Sequence, residues 1–290
     1  MKSKLLFLGL TLSVFTPALS QNMNALPKIV APFSSFVHDV RKYTEIDTAK
    51  YVITYSVKAI INPVKYPTDT LTEKLALQIG NRMSKSFNLT LFEGDSIFFY
   101  KYIAKGQTGP YRQSPIVPVE IYRNYPKGDM TSVYRLTKYN FRYKEDYPIE
   151  FNWQLHNEKK KILNYNCQKA TCSFRGRNYI AWFTPEIPLK EGPYKFGGLP
   201  GLILQISDTK NEYIFTCIGI RKPKNVLPIK LFKWEYKDIT REKLNAYLVK
   251  VHNNQAQFFV TSTESRGYIG EKDVTAEMPN IFSYNPIELE

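Results

Sequence analysis

The sequence predicts a mainly β fold: a large curved antiparallel sheet or half-open barrel, covered by one C-terminal helix. Three observations lead to this prediction. The chain of 290 residues contains 21 tyrosines and 18 phenylalanines, a composition typical of a pleated, aromatic core. In several segments apolar and polar residues alternate, which is the period of a half-buried strand. A single segment, residues 238–256, spaces its apolar residues as a helix does.

The first twenty residues have the features of a secretory signal peptide. Lys2 and Lys4 form a basic head, an apolar run follows, and Ala18 and Ser20 are small residues at the expected cleavage site. The apolar run is shorter than the roughly 20 residues that cross a bilayer. We therefore expect export, with the protein periplasmic, associated with the outer membrane, or secreted.

The mature chain is predicted to consist of an irregular arm over residues 21–48 and one β-rich domain over 49–290. Strands are expected over 49–61, 73–87, 94–103, 132–143 and 151–155. The prolines between residues 106 and 132 favour long loops around one short strand, "VEIYR", rather than a central strand. Residues 156–161 are expected to form a polar turn and Arg175–Arg177 a bulge, followed by a hairpin of 202–206 with 213–220.

The predicted helix carries its own start signal. Thr240 is suited to cap its N-terminus, and Ile239 is placed to pack on Leu244. Leu244, Leu248 and Val251 form one apolar stripe, so the helix is expected to cover the sheet.

The net charge of +14 is reduced to about +12 when the two lysines of the signal peptide are removed. Such an excess favours acidic partners. Because nucleic acid is a poor candidate for an exported protein, anionic membrane surfaces or acidic glycans are the better ones.

The stretch Leu199-Pro200-Gly201-Leu202 predicts a type II turn that leads directly into a strand. Gly197 before it allows close approach of another segment or a ligand. The stretch lacks the Gly-Lys-Ser/Thr of a nucleotide loop and the Gly-x-Ser-x-Gly of a nucleophile elbow. A structural corner and a functional gate or docking edge both remain open.

The cysteines and histidines give only weak signals for chemistry. A Cys172–Cys217 disulfide is the favoured pairing, and three buried free thiols are the alternative. No metal-binding spacing occurs, so neither a metal nor another cofactor is predicted. His38 and His252 have no patterned partner, and the nucleophilic alternative is a His156–Cys167 dyad across a turn.

Two further sets of charged residues are ambiguous. Arg175 and Arg177 suit a phosphate or carboxylate ligand, or else they form structural ion pairs with Glu186 or Glu191. The same two glutamates are either a pair of catalytic carboxylates or surface and capping charges.

The segment from Cys167 to Asp208 resembles the signature of the GLPGLI family, exported proteins of Bacteroidetes-type bacteria, and the ending "NPIELE" is similar to that of many members. The matching positions are Cys167, Lys169, Ala170, Gly176, Arg177, Trp182, Pro188, Gly192, Pro193 and residues 198–203. The resemblance implies an exported, sheet-rich protein from a bacterium with two membranes. Family members are generally uncharacterised, so it implies no activity.

Three functional hypotheses follow. The first is a non-enzymatic protein of the periplasm or outer membrane that binds an apolar or anionic ligand, an envelope protein or an anionic membrane surface. The second is an envelope hydrolase that uses carboxylates or the Cys–His pair. The third is an assembly factor to which a partner adds a strand along Leu202–Ile206. The predicted binding residues are Arg175, Arg177, Trp182, Gly197, Gly198, Leu199, Pro200 and Gly201.

Overall fold

The computed structural model describes residues 37–107, 115–263, 268–269, 272–273 and 284–290. The predicted signal peptide and most of the predicted arm lie outside these residues. The strands are β1 (Tyr43–Thr48), β2 (Tyr51–Ile60), β3 (Thr70–Ile79), β4 (Ser84–Asn88), β5 (Val119–Arg123), β6 (Asp129–Leu136), β7 (Tyr139–Asp146), β8 (Gln154–Ile162), β9 (Tyr165–Phe174), β10 (Arg177–Thr184), β11 (Leu202–Asp208), β12 (Tyr213–Arg221), β13 (Pro228–Phe232), β14 (Lys237–Asp238), β15 (Tyr268–Ile269) and β16 (Lys272–Asp273). The helices are α1 (Leu89–Ile97), α2 (Arg241–Asn253) and α3 (Gln255–Thr263).

Twelve of these strands form one open sheet, which confirms the predicted β-rich class. Their order across the sheet is β14-β7-β6-β5-β4-β3-β2-β12-β11-β10-β9-β8. The neighbours pair antiparallel, apart from the parallel pair of β14 with β7. β1 and β13 form a separate antiparallel ribbon.

The two faces of the sheet are covered differently. The inner face carries the main core, in which Ile53, Leu77 and Phe215 have no exposed surface. The β1–β13 ribbon covers the outer face near β4 to β6, where Tyr122 and Ile229 belong to one apolar cluster. On β2, β3 and β9 to β12, outward-facing side chains are mostly half-buried or exposed.

Helix α2 covers the sheet where the sequence predicts it. Leu244, Leu248 and Val251 are buried and share a cluster with Phe141 of β7. The Thr240 hydroxyl accepts a hydrogen bond from the Lys243 N–H at 3.3 Å, so it acts as the predicted cap. None of the helices in the described residues is long and apolar enough to cross a membrane.

The strand predicted over 94–103 is wrong, because this segment is helical. Asn88, the last residue of β4, caps α1 by accepting a hydrogen bond from the Leu91 N–H at 2.8 Å. Asp95 on α1 then pairs with Arg135 at 2.8 Å across to β6. This cap and this distant ion pair fix the helix, and the alternating apolar pattern does not reveal them.

Other local predictions also differ from the structure. Residues 73–87 and 132–143, each expected as one strand, lie in the hairpins β3–β4 and β6–β7, and the strand expected over 151–155 begins only at Gln154. Residues 43–48 of the supposed irregular arm form β1. The "VEIYR" strand, β5, is central, and its flanking prolines lie in the connections. Residues 156–161 are not a turn but belong to the edge strand β8, which contains Lys159–Lys161 and a register shift between Leu155 and Lys159. Charges and irregular pairing are common at sheet edges, because both discourage association of the edge with another strand.

Candidate functional site

The loop between β10 and β11, residues 185–201, packs on the inner face of the sheet and is called the corner loop here. An isolated bridge joins Glu191 to Gly197, so the residues between them form a tight bend. Phe196, near the end of this bend, is fully buried. Its ring centroid lies 4.6 Å from that of Tyr179 and 5.7 Å from that of Phe151. The corner loop therefore fills the inner face with its own aromatic anchor.

Arg123 of β5 holds the corner loop in place. Its side chain is 2% exposed, and Nη1 lies 3.2 Å from Glu191 Oε2. Nη1 also donates to Ser84 Oγ at 3.2 Å. Nη2 donates to the Gly192 carbonyl at 2.9 Å and to the Tyr194 carbonyl. The planar guanidinium, with five N–H donors, satisfies several acceptors at once, which a lysine ammonium cannot do in this arrangement.

The predicted type II turn at residues 199–202 is wrong. The Gly201 N–H donates to the Leu199 carbonyl at 2.8 Å, which makes a three-residue turn centred on Pro200. A β-carbon on Gly201 would lie 2.1 Å from the Thr184 carbonyl oxygen. Glycine is thus needed at 201 because another backbone segment approaches closely.

The structure divides the other predicted corner residues between core and surface. Leu199 is 1% exposed and belongs to the main core. The Gly197 carbonyl accepts a hydrogen bond from Trp153 Nε1 at 2.9 Å. Gly198 and Pro200 are exposed, and Gly198 has a φ of +84°, a conformation that favours glycine. These residues do not converge on one pocket.

Arg177 instead contacts the final segment, residues 284–290, called the tail. Its Nη2 donates to Asn285 Oδ1 at 2.6 Å and to the Pro286 carbonyl at 2.7 Å. Its Nη1 lies 3.1 Å from Asp208 Oδ2 and 2.7 Å from Glu212 Oε2. The guanidinium is therefore engaged by internal partners.

Arg175 also reaches the tail. Its Nη2 lies 2.7 Å from Glu145 Oε1, and its carbonyl accepts a hydrogen bond from the Leu289 N–H at 2.9 Å. The predicted bulge is wrong: Arg175 and Gly176 form a tight hairpin turn with φ values of +48° and +77°. Arg175 lies in this turn and Arg177 is the first residue of β10, and they pair with acids other than Glu186 and Glu191.

The corner loop and α2 supply further tail contacts: Asn245 of α2 donates to the Glu290 carbonyl at 2.8 Å, and the corner loop binds Glu288. Lys195 has no exposed side-chain surface, and its Nζ lies 2.7 Å from Glu288 Oε1 and 2.6 Å from Glu145 Oε2. The Tyr194 hydroxyl donates to Glu288 Oε1 at 2.6 Å. Burial opposes the charge on Lys195, but Tyr143 and the two carboxylates outweigh it and raise the pKa of Lys195. Glu288 therefore lies at the centre of a buried charge cluster.

A cavity of about 70 Å³ lies between the tail, α2 and the inner face. Its lining includes Tyr134, Tyr143, Tyr213 and Leu248. It has space for a few water molecules. Typical small-molecule pockets are several times larger, about 300 Å³ or more.

Trp182 lies on the opposite, outer face, in a row of directly paired residues that crosses six strands. In order, the row contains Lys169 (β9), Trp182 (β10), Gln205 (β11), Thr216 (β12), Ser56 (β2) and Lys74 (β3). We call it the outer row. Five members are half-buried and Lys74 is exposed, so the row is open to solvent.

The polar groups beside Trp182 are ordered by one another. Lys160 of β8 places its Nζ 4.3 Å from the Trp182 ring centroid, a cation–π contact. The same ammonium donates to Gln205 Oε1, and Gln205 Nε2 donates to Thr216 Oγ1 at 3.2 Å. Burial lowers the pKa of Lys160. An indole with an ammonium, an amide and a hydroxyl around it is thus presented on a rigid sheet.

The proposed His156–Cys167 dyad is wrong. His156 Nε2 lies 2.7 Å from Thr171 Oγ1, and the residue paired with Cys167 is Lys160. Burial raises the pKa of the Cys167 thiol to about 11, so the thiol is neutral at physiological pH. In the described ranges, no group of three or more His, Cys, Asp or Glu side chains is placed to hold a metal ion.

The predicted Cys172–Cys217 disulfide is also wrong. Both residues are buried free thiols, on β9 and β12, with β10 and β11 between them. Three strand spacings amount to about 14 Å, twice the roughly 7 Å that a disulfide spans between Cα atoms. Burial raises the pKa of Cys172 to about 12 and of Cys217 to about 11, so they pack as small apolar side chains.

Strand addition along Leu202–Ile206 is excluded by the same topology. These residues lie in β11, which pairs with β10 on one side and with β12 on the other. On the β12 side the ladder covers residues 205–207, and the Leu202 and Ile203 N–H groups donate to corner-loop carbonyls at 3.0 Å, so a partner strand has no continuous edge to join. The assembly hypothesis in this form is therefore wrong.

Two features of the site are not evident from sequence patterns. Arg123 ends a short strand whose other inward-facing residues, Val119 and Ile121, are apolar, and it has no motif around it. Many of the tail contacts come from residues more than 70 positions away in sequence, such as Tyr213 and Tyr179. Only the resemblance of "NPIELE" to a family ending singles out the tail.

Comparison with known proteins gives one partial family match. The model of the N-glycanase peptide, N-terminal domain, matches residues 148–241. This segment contains β8 to β14, the whole corner loop and four members of the outer row. No curated protein matches the chain significantly.

Two solved structures of PNGF-II are similar to the chain. The one in a P21 crystal form aligns with a TM-score of 0.45 and 16% identity, and the one in a C2 form with 0.48 and 14%. Each alignment covers 71% of this chain and 34% of the solved chain. The chain thus spans about a third of the length of these proteins.

Proposed function

We propose that this chain is an exported, non-enzymatic protein of the cell envelope, of the kind that the GLPGLI resemblance implies, and that it binds acidic glycans through Trp182 and the outer row. The observation that carries the proposal is the half-exposed indole of Trp182 among fixed polar side chains. The C–H face of a sugar ring packs well on such a flat, apolar surface. The surrounding amide, hydroxyl and ammonium groups suit the sugar hydroxyls and any carboxylate or sulfate.

The charge near the outer row supports an acidic rather than a neutral glycan. Lys58, Lys74, Lys160 and Lys169 face outward on or beside it, whereas Glu158 pairs with Lys169 at 2.7 Å. The excess positive charge of the whole chain has the same sign. A positive surface raises the association rate of an acidic ligand and makes binding depend on salt.

The partial family match agrees with this choice of ligand class. The matched N-terminal domain belongs, by its description, to an N-glycanase peptide, and the match includes Trp182, Lys160 and Gln205. A glycan-binding surface on this domain needs no catalytic group. The carboxylates flanking the corner loop have structural partners, since Glu186 accepts from the Asn166 N–H at 2.8 Å and Glu191 pairs with Arg123.

The test is binding of the purified chain to an array of acidic and neutral glycans, followed by calorimetry with the best ligand. We expect Trp182→Ala to weaken binding at least ten-fold and Lys160→Ala to weaken binding of acidic glycans only. Ile180→Ala is the matched control, because Ile180 lies on the same strand and face. Thermal unfolding verifies that each variant is folded. Wild-type protein that binds no glycan, or equal binding by the Trp182 and Ile180 variants, would overturn the proposal.

A further inference from the structure

The tail is held as a peptide ligand is held. It belongs to no helix or strand of the described chain. Side chains of the body recognise its main chain: the carbonyls of residues 285, 286 and 287 accept hydrogen bonds from Tyr213 at 2.5 Å, Arg177 at 2.7 Å and Tyr179 at 3.1 Å. Three successive tail carbonyls thus accept hydrogen bonds from side chains of two strands.

Groups of the sheet and the corner loop also form hydrogen bonds with two tail side chains. Asn285 accepts from Arg177 through Oδ1 and donates to the Ile60 carbonyl through Nδ2 at 2.8 Å. Glu288 receives hydrogen bonds from Tyr194 and Lys195. These contacts therefore select a segment with an amide side chain and, three positions later, a carboxylate, as in the sequence Asn-Pro-Ile-Glu.

The binding groups are assembled independently of the tail. Arg123 and Glu191 fix the corner loop that presents Tyr194 and Lys195. The hairpin of β9 and β10 presents Arg177, whose other contacts are to the sheet acids Asp208 and Glu212. Such pre-organisation lowers the cost of binding a peptide.

Removing Glu288 would leave the site positively charged. Arg175, Lys195 and Arg241 all lie within 4 Å of Glu145, and the exposed Glu242 lies 3.1 Å from Arg241, so three cations would face two acids. The three cationic side chains are 27%, 0% and 11% exposed, so water compensates them poorly. A vacated site thus favours an acidic segment.

We propose that the groove formed by Arg175, Arg177, Tyr179, Tyr194, Lys195 and Tyr213 is a peptide-recognition site specific for an Asn-Pro-Ile-Glu segment, with the tail as its resident ligand. A free peptide of the same sequence competes with the tail for this groove. Competition is weak in the wild type, because a tethered ligand acts at an effective concentration in the millimolar range.

The experiment measures binding of a fluorescently labelled peptide, Tyr-Asn-Pro-Ile-Glu-Leu-Glu, by anisotropy. The full-length chain carries Asn285→Ala and Glu288→Ala, which weaken its own tail. We expect saturable binding to this variant, at least ten-fold weaker binding to wild type, and at least ten-fold weaker binding of a peptide with lysine in place of its first glutamate. Loss of binding when Lys195→Met is added to the variant would locate the peptide in the groove.

Two outcomes overturn the proposal. One is that the folded variant does not bind the native peptide, or binds it no more tightly than the lysine peptide. The other applies if the variant is unfolded alone: its melting transition is then followed with increasing peptide, and the native peptide restores the transition no better than the lysine peptide does. Glycan binding at Trp182 is measured on the same samples, and its failure leaves the peptide result unaffected because the two sites lie on opposite faces.

Discussion

Arg123 provides the most discriminating test of how the corner loop is held. Replacing it with methionine keeps much of the side-chain volume but removes every donor that Arg123 supplies to the loop, leaving the Glu191 carboxylate, which is only 16% exposed, without its cation. Breaking a buried ion pair by removing one partner costs about 3–5 kcal/mol. Each carbonyl left without a donor costs about 1–3 kcal/mol more. Because a whole domain is stable by only about 5–15 kcal/mol, we expect Arg123→Met to lose at least about 5 kcal/mol and be close to unfolded.

Urea denaturation followed by tryptophan fluorescence measures this loss. The matched control is Arg142→Met, since Arg142 also lies in the sheet and pairs with Asp238 at 2.6 Å but is 34% exposed. We expect it to cost less than about 1 kcal/mol. Adding Glu191→Gln to Arg123→Met should recover about 1–3 kcal/mol, because the uncompensated charge is removed. A loss below about 1 kcal/mol for Arg123→Met, or no recovery in the double variant, would refute this account.

Three further predictions concern buried groups. Burial raises the pKa of Glu73 to about 7, although the hydrogen bonds from the N–H groups of residues 116 and 117 oppose this shift. The stabilisation that comes from the protonated Glu73 is therefore present below pH 4.5 and is lost as the pH rises through 7. Urea denaturation should show that the free energy of unfolding of wild type falls by up to about 3 kcal/mol between pH 5 and pH 8, and that of Glu73→Gln by less. An identical fall in both proteins would contradict the assignment to Glu73. Ser86 and Ser132 have buried hydroxyls without a described hydrogen-bond partner. Changing either to alanine should therefore lower the free energy of unfolding by less than about 1 kcal/mol, or raise it. A larger loss of stability would show that the hydroxyl does have a partner. Because Cys172 and Cys217 are free thiols, a reductant should leave the melting temperature unchanged, and a drop of several degrees would indicate a disulfide.

Most of the sheet could be predicted because its signals are local. Residues 49–61, 202–206 and 213–220 show alternation that follows directly from one buried face, and the structure places strands there. Residues 73–87, expected as one strand, instead form parts of β3 and β4 with a turn between them. Helix α2 was predictable for the same reason, since its cap and its stripe lie within fifteen residues of one another. The pairing order of the twelve strands has no such local signal.

The errors arise where distant contacts decide the local conformation. The segment 94–103 reads as a strand, yet the cap at Asn88 and the pairing of Asp95 with Arg135 make it helical. The turn at Pro200 depends on the approach of Thr184, which composition does not reveal. Arg175 and Arg177 suggest a shared anion site, but Arg175 lies in the hairpin turn and Arg177 on the strand after it, and each pairs with different acids.

Among the described residues β8 pairs with a strand on one side only, and its other side has a consequence for how copies of the protein behave together. Its Lys159–Lys161 run would face the same run on a neighbouring copy approaching along that side. Repulsion between such runs extends about 8 Å at physiological ionic strength and only about 3 Å at 1 M salt. We therefore expect the protein to resist association at low salt. High salt would screen the repulsion that keeps the edge strands of two copies from pairing into one continuous sheet.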